Sequence, residues 1–293
     1  MAYVSYLEPH QPYDGPLNHL YSRNNLATGP QFFRMPSDNA ALGNRAAADY
    51  YLNGGLMFNG MDMKDEAGWR ELRARYWGNV TLVDQSVGII LNALEESGQA
   101  DNTIVVFTSD HGEMAGDHGM RGKTVMYEES VRVPLLIRVP WLKRQIRKVS
   151  GAISHIDLVP TLLELMGESK PGHLQGESRV PVLQGQSTLE GTNVIIEWNE
   201  SEHVDYSHRA INLPVEEINR VAGMPWRTLV GQDGWKLNLS PVDQCELYNL
   251  GADPHELKNL FDHPKQQDRI HDMVARLRAW KKQTKDAVPL PMI

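Results

Sequence analysis

The stretch that most constrains this chain runs from Thr103 to Pro134, TIVVFTSDHGEMAGDHGMRGKTVMYEESVRVP. It opens on β-branched and aromatic residues, Thr103 to Phe107, shortly after a helix-ending Gly98, which is the pattern of a buried strand in a parallel sheet. Asp110, His111 and Gly112 follow just past the strand's C-terminal end, where open α/β sheets keep their ligand sites. A carboxylate and an imidazole side by side can both turn toward one cation, while glycines let the backbone bend around it. Lys123 comes after a second turn, Gly116 to Gly119, and after Gly122, and its flexible ammonium suits a phosphate or a sulfate. Asp-His-Gly alone is common by chance. The ordered set of S-D-H-G-E, G-D-H-G, G-K, Y-E-E-S and R-V-P-L is highly specific.

Strands and helices alternate around this stretch. Asp65 to Ser97 is the clearest helical pattern, with Leu72, Tyr76, Val80, Val83, Val87, Ile90, Leu91 and Leu94 at spacings of three and four and Gly98 as its stop. The stripe is expected to face the core, and Asp84 beside it to pair with a backbone group or an arginine. Tyr3 to Leu7 alternates like a strand and runs into Glu8-Pro9-His10-Gln11-Pro12, where two prolines fix a loop and leave His10 at its turn. Asp14 to Asn44 lacks periodicity and reads as a long loop. Val133 to Val139 reads as a strand, Ser154 to Met166 as a helix, and Arg132 as an anchor for Glu128 or Glu129.

A Gly- and Pro-rich passage, Lys170 to Thr192, marks the expected boundary between an α/β domain over residues 1–190 and a C-terminal subdomain over 191–293. In the latter, Val194–Trp198, Trp226–Val230, Trp235–Leu239 and Glu246–Leu250 read as short strands, with a hairpin turn at Gly231–Gly234. Pro264 to Thr284 closes it as an amphipathic helix, giving a small antiparallel sheet plus one helix.

With 293 residues the chain can bury a large core, and a net charge of -8 argues against a nucleic-acid partner. No run approaches the roughly 20 apolar residues of a membrane helix, and no basic and apolar leader follows Met1, so the expectation for the chain as given is no membrane partner and a cytoplasmic location, with export if a preceding segment carried a signal. The one cysteine, Cys245, excludes an internal disulfide framework.

The central stretch resembles the sulfatase family of the alkaline-phosphatase-like superfamily, and the resemblance extends along the chain through Y-V-S-Y-L-E-P-H-Q-P at Tyr3 to Pro12, S-H-I-D-L-V-P-T-L-L-E-L-M-G at Ser154 to Gly167, and E-L-Y-N-L with D-P-H-E-L-K-N-L between Glu246 and Leu260. It implies a sulfatase-type α/β sheet flanked by helices. Asp110 and His111 would be ligands of a divalent metal, calcium by family habit. Lys123 would hold a sulfate oxygen, His10 would contact the ester or serve as general acid, and the substrate would be a sulfated small molecule or carbohydrate. His118 either touches the substrate or only stabilises the loop carrying Lys123, and Glu113 and Asp117 read as solvated or pairing charges rather than metal ligands.

The sequence departs from the family at its nucleophile. Sulfatases carry a Cys-x-Pro/Ala-x-Arg motif whose cysteine or serine becomes formylglycine, and Cys245 sits in Gln-Cys-Glu-Leu-Tyr with no such context. The paired aspartates, the arginine and the lysine-histidine pair of the family's earlier segments are missing as well. The expectation is therefore the C-terminal portion of a sulfatase, with an uncovered apolar face that a missing N-terminal segment or a homo-oligomer would cover. A phosphatase or phosphonate monoester hydrolase of the same superfamily, and a non-catalytic binding domain, remain alternatives.

Overall fold

The computed structural model describes residues 1–55, 57–142, 148–199 and 212–293. In chain order its elements are α1 (Leu42–Leu52), β1 (Met57–Phe58), β2 (Met61–Asp62), α2 (Glu66–Glu96), β3 (Val105–Thr108), α3 (Glu128–Val131), β4 (Leu135–Arg138), α4 (Leu158–Leu165), α5 (Val180–Leu183), β5 (Val194–Trp198), α6 (Val215–Val221), β6 (Trp226–Val230), β7 (Trp235–Leu239), β8 (Glu246–Asn249) and α7 (Gln267–Thr284). They fall into two compact units. One is Met1–Pro140 with residues 212–222; the other comprises the described parts of Trp141–Glu202 and Gly223–Ile293.

The first unit is organised by α2, which starts after Asp65 and stops at Ser97. Gly98 then takes φ +69°, a left-handed conformation that costs glycine nothing and turns the chain out of the helix. The apolar stripe behaves differently along its length. Trp69 and Leu72 are fully buried, whereas Val80 at mid-helix and Ile90 and Leu91 near the other end are exposed, so the expected core-facing stripe holds only for the first turns of the helix. Asp84 is exposed, where the sequence suggested a paired charge, because its side of the helix meets no packed neighbour.

Two expected strands are corrected. Tyr3 to Leu7 forms no strand; Tyr3 and Leu7 lie exposed, and no described segment offers the hydrogen-bonding partner that a strand requires. β3 appears where expected but pairs antiparallel, with β4, in the register Val105↔Arg138 to Thr108↔Leu135. The chain thus leaves β3 and returns through β4, and the 26 residues of its excursion close on one neck, where Thr108 Oγ1 donates to Pro134 O at 2.9 Å.

The second unit contains the antiparallel sheet β5-β6-β7-β8. The expected hairpin turn joins β6 to β7, with Gly231 N–H donating to Trp235 O at 2.8 Å and Gly234 at φ +75°. Leu229, Leu237 and Leu247 of the sheet pack with Ile270, Val274 and Leu277 of α7 into one core. Each of those six side chains removes roughly 100 Å² or more of apolar surface from water, worth about 1.5–3 kcal/mol apiece. Among the described residues no helix is long and apolar enough to cross a membrane.

Candidate functional site

The site is a property of the excursion between β3 and β4. Its path is set by backbone hydrogen bonds that fold it back on itself: Met114 N–H to Gly122 O at 2.9 Å and Gly116 N–H to Met120 O at 2.8 Å. Such tight folding needs left-handed residues, and Ala115, Gly116, His118, Gly119, Gly122 and Thr124 all have positive φ. Three of these are not glycine, and the β-branched Thr124, at φ 81°, directly follows Lys123. Backbone strain of this kind costs about 1–3 kcal/mol per residue and persists only where the surroundings enforce it.

The enforcement comes from three anchors. Arg73 of α2, itself buried, holds Asp117 at 2.7 Å, donates through Nε to Ala115 O at 3.0 Å, and lies 4.3 Å over the Phe32 ring. The segment around Phe32 runs beside the excursion, with His118 N–H donating to Gln31 O and Phe33 N–H to Gly116 O, both at 2.8 Å. Finally, the Tyr-Glu-Glu-Ser stretch packs underneath: Tyr127 stacks on His118 at 3.9 Å and 11°, and Ser130 O accepts the Gly112 N–H at 2.7 Å. Gly112 is demanded by that last contact, because a Cβ there would meet Glu129 O at 2.0 Å.

Asp110 and His111 project at the start of this scaffold. The Asp110 side chain is 84% exposed, with Oδ2 3.5 Å from His111 Nε2. What burial there is pushes the Asp110 carboxyl up. The His111 N–H, the neighbouring imidazole and the Ser109 hydroxyl outweigh it and hold the group below its ordinary value. A carboxylate kept ionised and open is a good metal ligand, and His111 adds one more donor. Among the described residues no group of three or more His, Cys, Asp or Glu converges on a metal position. The donors present thus fall short of the six to eight oxygens that calcium takes, and on their own they do not complete a cation site.

Lys123 and His10, 113 residues apart, meet: Lys123 Nζ lies 3.0 Å from His10 Nε2. His10 Nδ1 is 2.9 Å from Gln11 O, so the tautomer with hydrogen on Nδ1 donates there and leaves Nε2 as an acceptor for the ammonium. Beside this pair, Arg121 donates to Gln11 Oε1. His118, by contrast, is 1% exposed, with its ring against Tyr127.

Four residues complete the arrangement: Glu113, which the sequence marks as a solvated or pairing charge, and Tyr13, Tyr76 and Arg121, to which it assigns no role at the site. Glu113 Oε1 accepts the N–H groups of Ala115 (at 3.1 Å) and Gly122, tying both ends of the fold-back together. Tyr13, buried just beyond His10, has its hydroxyl pushed up strongly by burial and then by the adjacent Glu113 carboxylate, with which it hydrogen-bonds. Tyr76 is pushed up to about 12 by the same two causes. The fourth residue is Arg121. The only sequence signal was its place one residue before Gly122-Lys123, in a turn already marked by glycines.

Comparison with known proteins now becomes informative. The family model described as Sulfatase matches residues 1–168. The chain belongs to the sulfatase family. N-acetylglucosamine-6-O-sulfatase of Bacteroides thetaiotaomicron is 33% identical over 216 residues, covering 73% of this chain and 36% of that protein. The phosphonate monoester hydrolase of Agrobacterium radiobacter superposes with a TM-score of 0.73 at 25% identity, over 95% of this chain and 56% of that one. A structure solved with its substrate D-glucosamine-2-N,6-O-disulfate gives 0.66 at 29%, over 82% and 45%. This sulfatase-family chain has the α/β fold of those structures, with helices and an antiparallel C-terminal sheet, and spans about half their length or less.

Proposed function

We propose that this chain carries the anion-holding and leaving-group side of a sulfuric-ester hydrolase acting on a sulfated carbohydrate. The observation that carries the reading is the 3.0 Å contact between Lys123 Nζ and His10 Nε2, which puts a cation and a proton carrier at one point. Lys123 neutralises a sulfate oxygen and orients the ester. As the S–O bond to the sugar breaks, the electron pair goes to the leaving oxygen, and a proton from the Lys123–His10 pair neutralises it. The carbohydrate substrate is supported by the Bacteroides relative's name and by the disulfated glucosamine in the solved neighbour.

Asp110 and His111 would supply two of the ligands of a divalent cation, whose positive charge offsets that of the sulfate oxygens. The family's formylglycine has no counterpart in this sequence. Cys245, in the C-terminal sheet unit, has its thiol pushed up to about 11 by burial, which leaves it a poor nucleophile. The attack on sulfur is therefore outside what these residues perform.

The test is titration of the purified chain with inorganic sulfate and inorganic phosphate, alongside turnover of an aryl sulfate, an aryl phosphate and a phosphonate monoester. Binding of sulfate that weakens at least tenfold in Lys123→Ala supports the reading; equal binding by the variant sinks it. A second reading, phosphonate or phosphate ester hydrolysis, is favoured by the match to the Agrobacterium enzyme, and turnover of the phosphorus esters alone would select it. Sulfate bound with no turnover of any ester fits a chain that lacks the nucleophile; a non-catalytic binding role predicts no turnover even when a partner segment is supplied.

A further inference from the structure

We infer that Arg121 is a specificity-determining residue, reading a second anionic group on a substrate whose first is held by Lys123; the inference rests on the sulfate-holding role proposed for Lys123 and His10. Arg121 and Lys123 flank Gly122, and their side chains reach consecutive residues of the facing loop: Arg121 Nη1 donates to Gln11 Oε1 and Lys123 Nζ lies against His10 Nε2. Consecutive Cα atoms are about 3.8 Å apart, so the two cationic heads present neighbouring positions that substituents of one sugar ring can span.

The surroundings of Arg121 are those of a reader of anions. Its guanidinium lies 4.4 Å over the Phe58 ring and 5.8 Å from that of Tyr51, a flat platform that orients the fork without consuming its charge. Its Nε is buried and donates to nothing among the described residues. The nearby carboxylate, Glu113, is committed to the backbone of Ala115 and Gly122 and to Tyr13. Arg73 of α2, which also reaches this loop, is by contrast neutralised by Asp117 at 2.7 Å. A planar fork with spare donors pairs in bidentate fashion with sulfate or carboxylate, which a lysine cannot do.

The experiment measures dissociation constants of the chain for glucosamine 6-sulfate and for D-glucosamine-2-N,6-O-disulfate, in the wild type and in Arg121→Met, Arg121→Lys and Lys123→Ala. Wild type is expected to prefer the disulfated sugar by tenfold or more. Arg121→Met should abolish that preference while leaving monosulfate affinity within about twofold, and Arg121→Lys should restore part of it. Loss of both affinities in equal measure in Arg121→Met, with thermal unfolding unchanged, overturns the inference and makes Arg121 a general charge. So does an equal affinity of the wild type for the two sugars. If Lys123→Ala matches the wild type on both sugars, or neither sugar binds, the underlying sulfate site fails and the inference fails with it.

Discussion

The C-terminal sheet and the β3–β4 excursion solve the same problem in opposite ways. In the first, order comes from hydrophobic closure: Leu229, Leu237 and Leu247 meet Ile270, Val274 and Leu277, all at or below 1% exposure. Polar groups are admitted there in matched sets, as in Lys236 to Glu256 at 2.9 Å and the row Thr228, Asn238, Glu246 at 2.9 and 3.0 Å. In the second, Met114, Met120, Met126 and Tyr127 are buried, but the turns between them are fixed by polar clips on strained backbone. The ladder at its neck is more open, with Phe107 and Leu136, opposite each other across β3 and β4, 38% and 60% exposed. A closed core suits a part that must only persist, whereas clips permit left-handed turns that aim His111 and Lys123 outward.

The largest effect should come from breaking the closed region. Lys236→Met leaves Glu256 charged and fully buried, and should cost about 3–5 kcal/mol in chemical denaturation; a loss under about 1 kcal/mol would mean that the pair is not the keystone its burial implies. Next comes Asp286, clamped by Arg227 at 2.7 Å and Lys281 at 2.9 Å. The Arg227 hydrogen bonds, against some desolvation and with help from Lys281, hold its carboxyl far below the usual range. A depressed folded-state pKa gives stability that is complete above the unfolded value, about 3.9, and is lost as pH falls below it. Asp286→Asn should therefore cost about 1.5–3 kcal/mol at neutral pH and flatten the acid limb of a stability-versus-pH curve; an unchanged acid limb contradicts this.

The smallest of the three, in the clipped region, sharpens the contrast. Gly112→Ala forces a Cβ against Glu129 O and should cost about 1–3 kcal/mol. Its mark should be the displacement of Asp110 and His111, seen as shifted amide resonances from Ser109 to Ser130 with the C-terminal sheet unmoved. Shifts spread evenly over both regions would show that the excursion is not an independent unit.

Legibility in the sequence follows the same division. The C-terminal strands fall within a residue of expectation because alternation and the Gly231–Gly234 turn are local signals, and α2 begins and ends where Asp65 and Gly98 mark it. Pairing is not local. Nothing in Thr103 to Phe107 reveals whether its neighbour runs parallel, and Tyr3 to Leu7 alternates like a strand yet finds no described partner. Asp110, His111, Lys123 and His10 stand out through motifs, but the meeting of His10 with Lys123 was not legible, since it depends on the fold closing over 113 residues. Tyr13 and Arg121 escaped because their roles are defined by what they touch across the loop. The Asp-Pro-His-Glu-Leu-Lys-Asn-Leu landmark likewise acquires a physical meaning only in space: Glu256 neutralises Lys236, and Asn259 caps β8 through the Leu247 N–H at 2.9 Å and Cys245 O at 3.1 Å.

The neck at Thr108 and Leu135 gives the excursion the character of a cassette. Both of its ends leave from one rung of a two-strand ladder, so the stretches that Arg73 and the Gln31–Phe33 segment do not hold can change in length and composition without moving the frame. The Asp110-to-Lys123 segment would carry its shape to another hairpin only together with those docking partners.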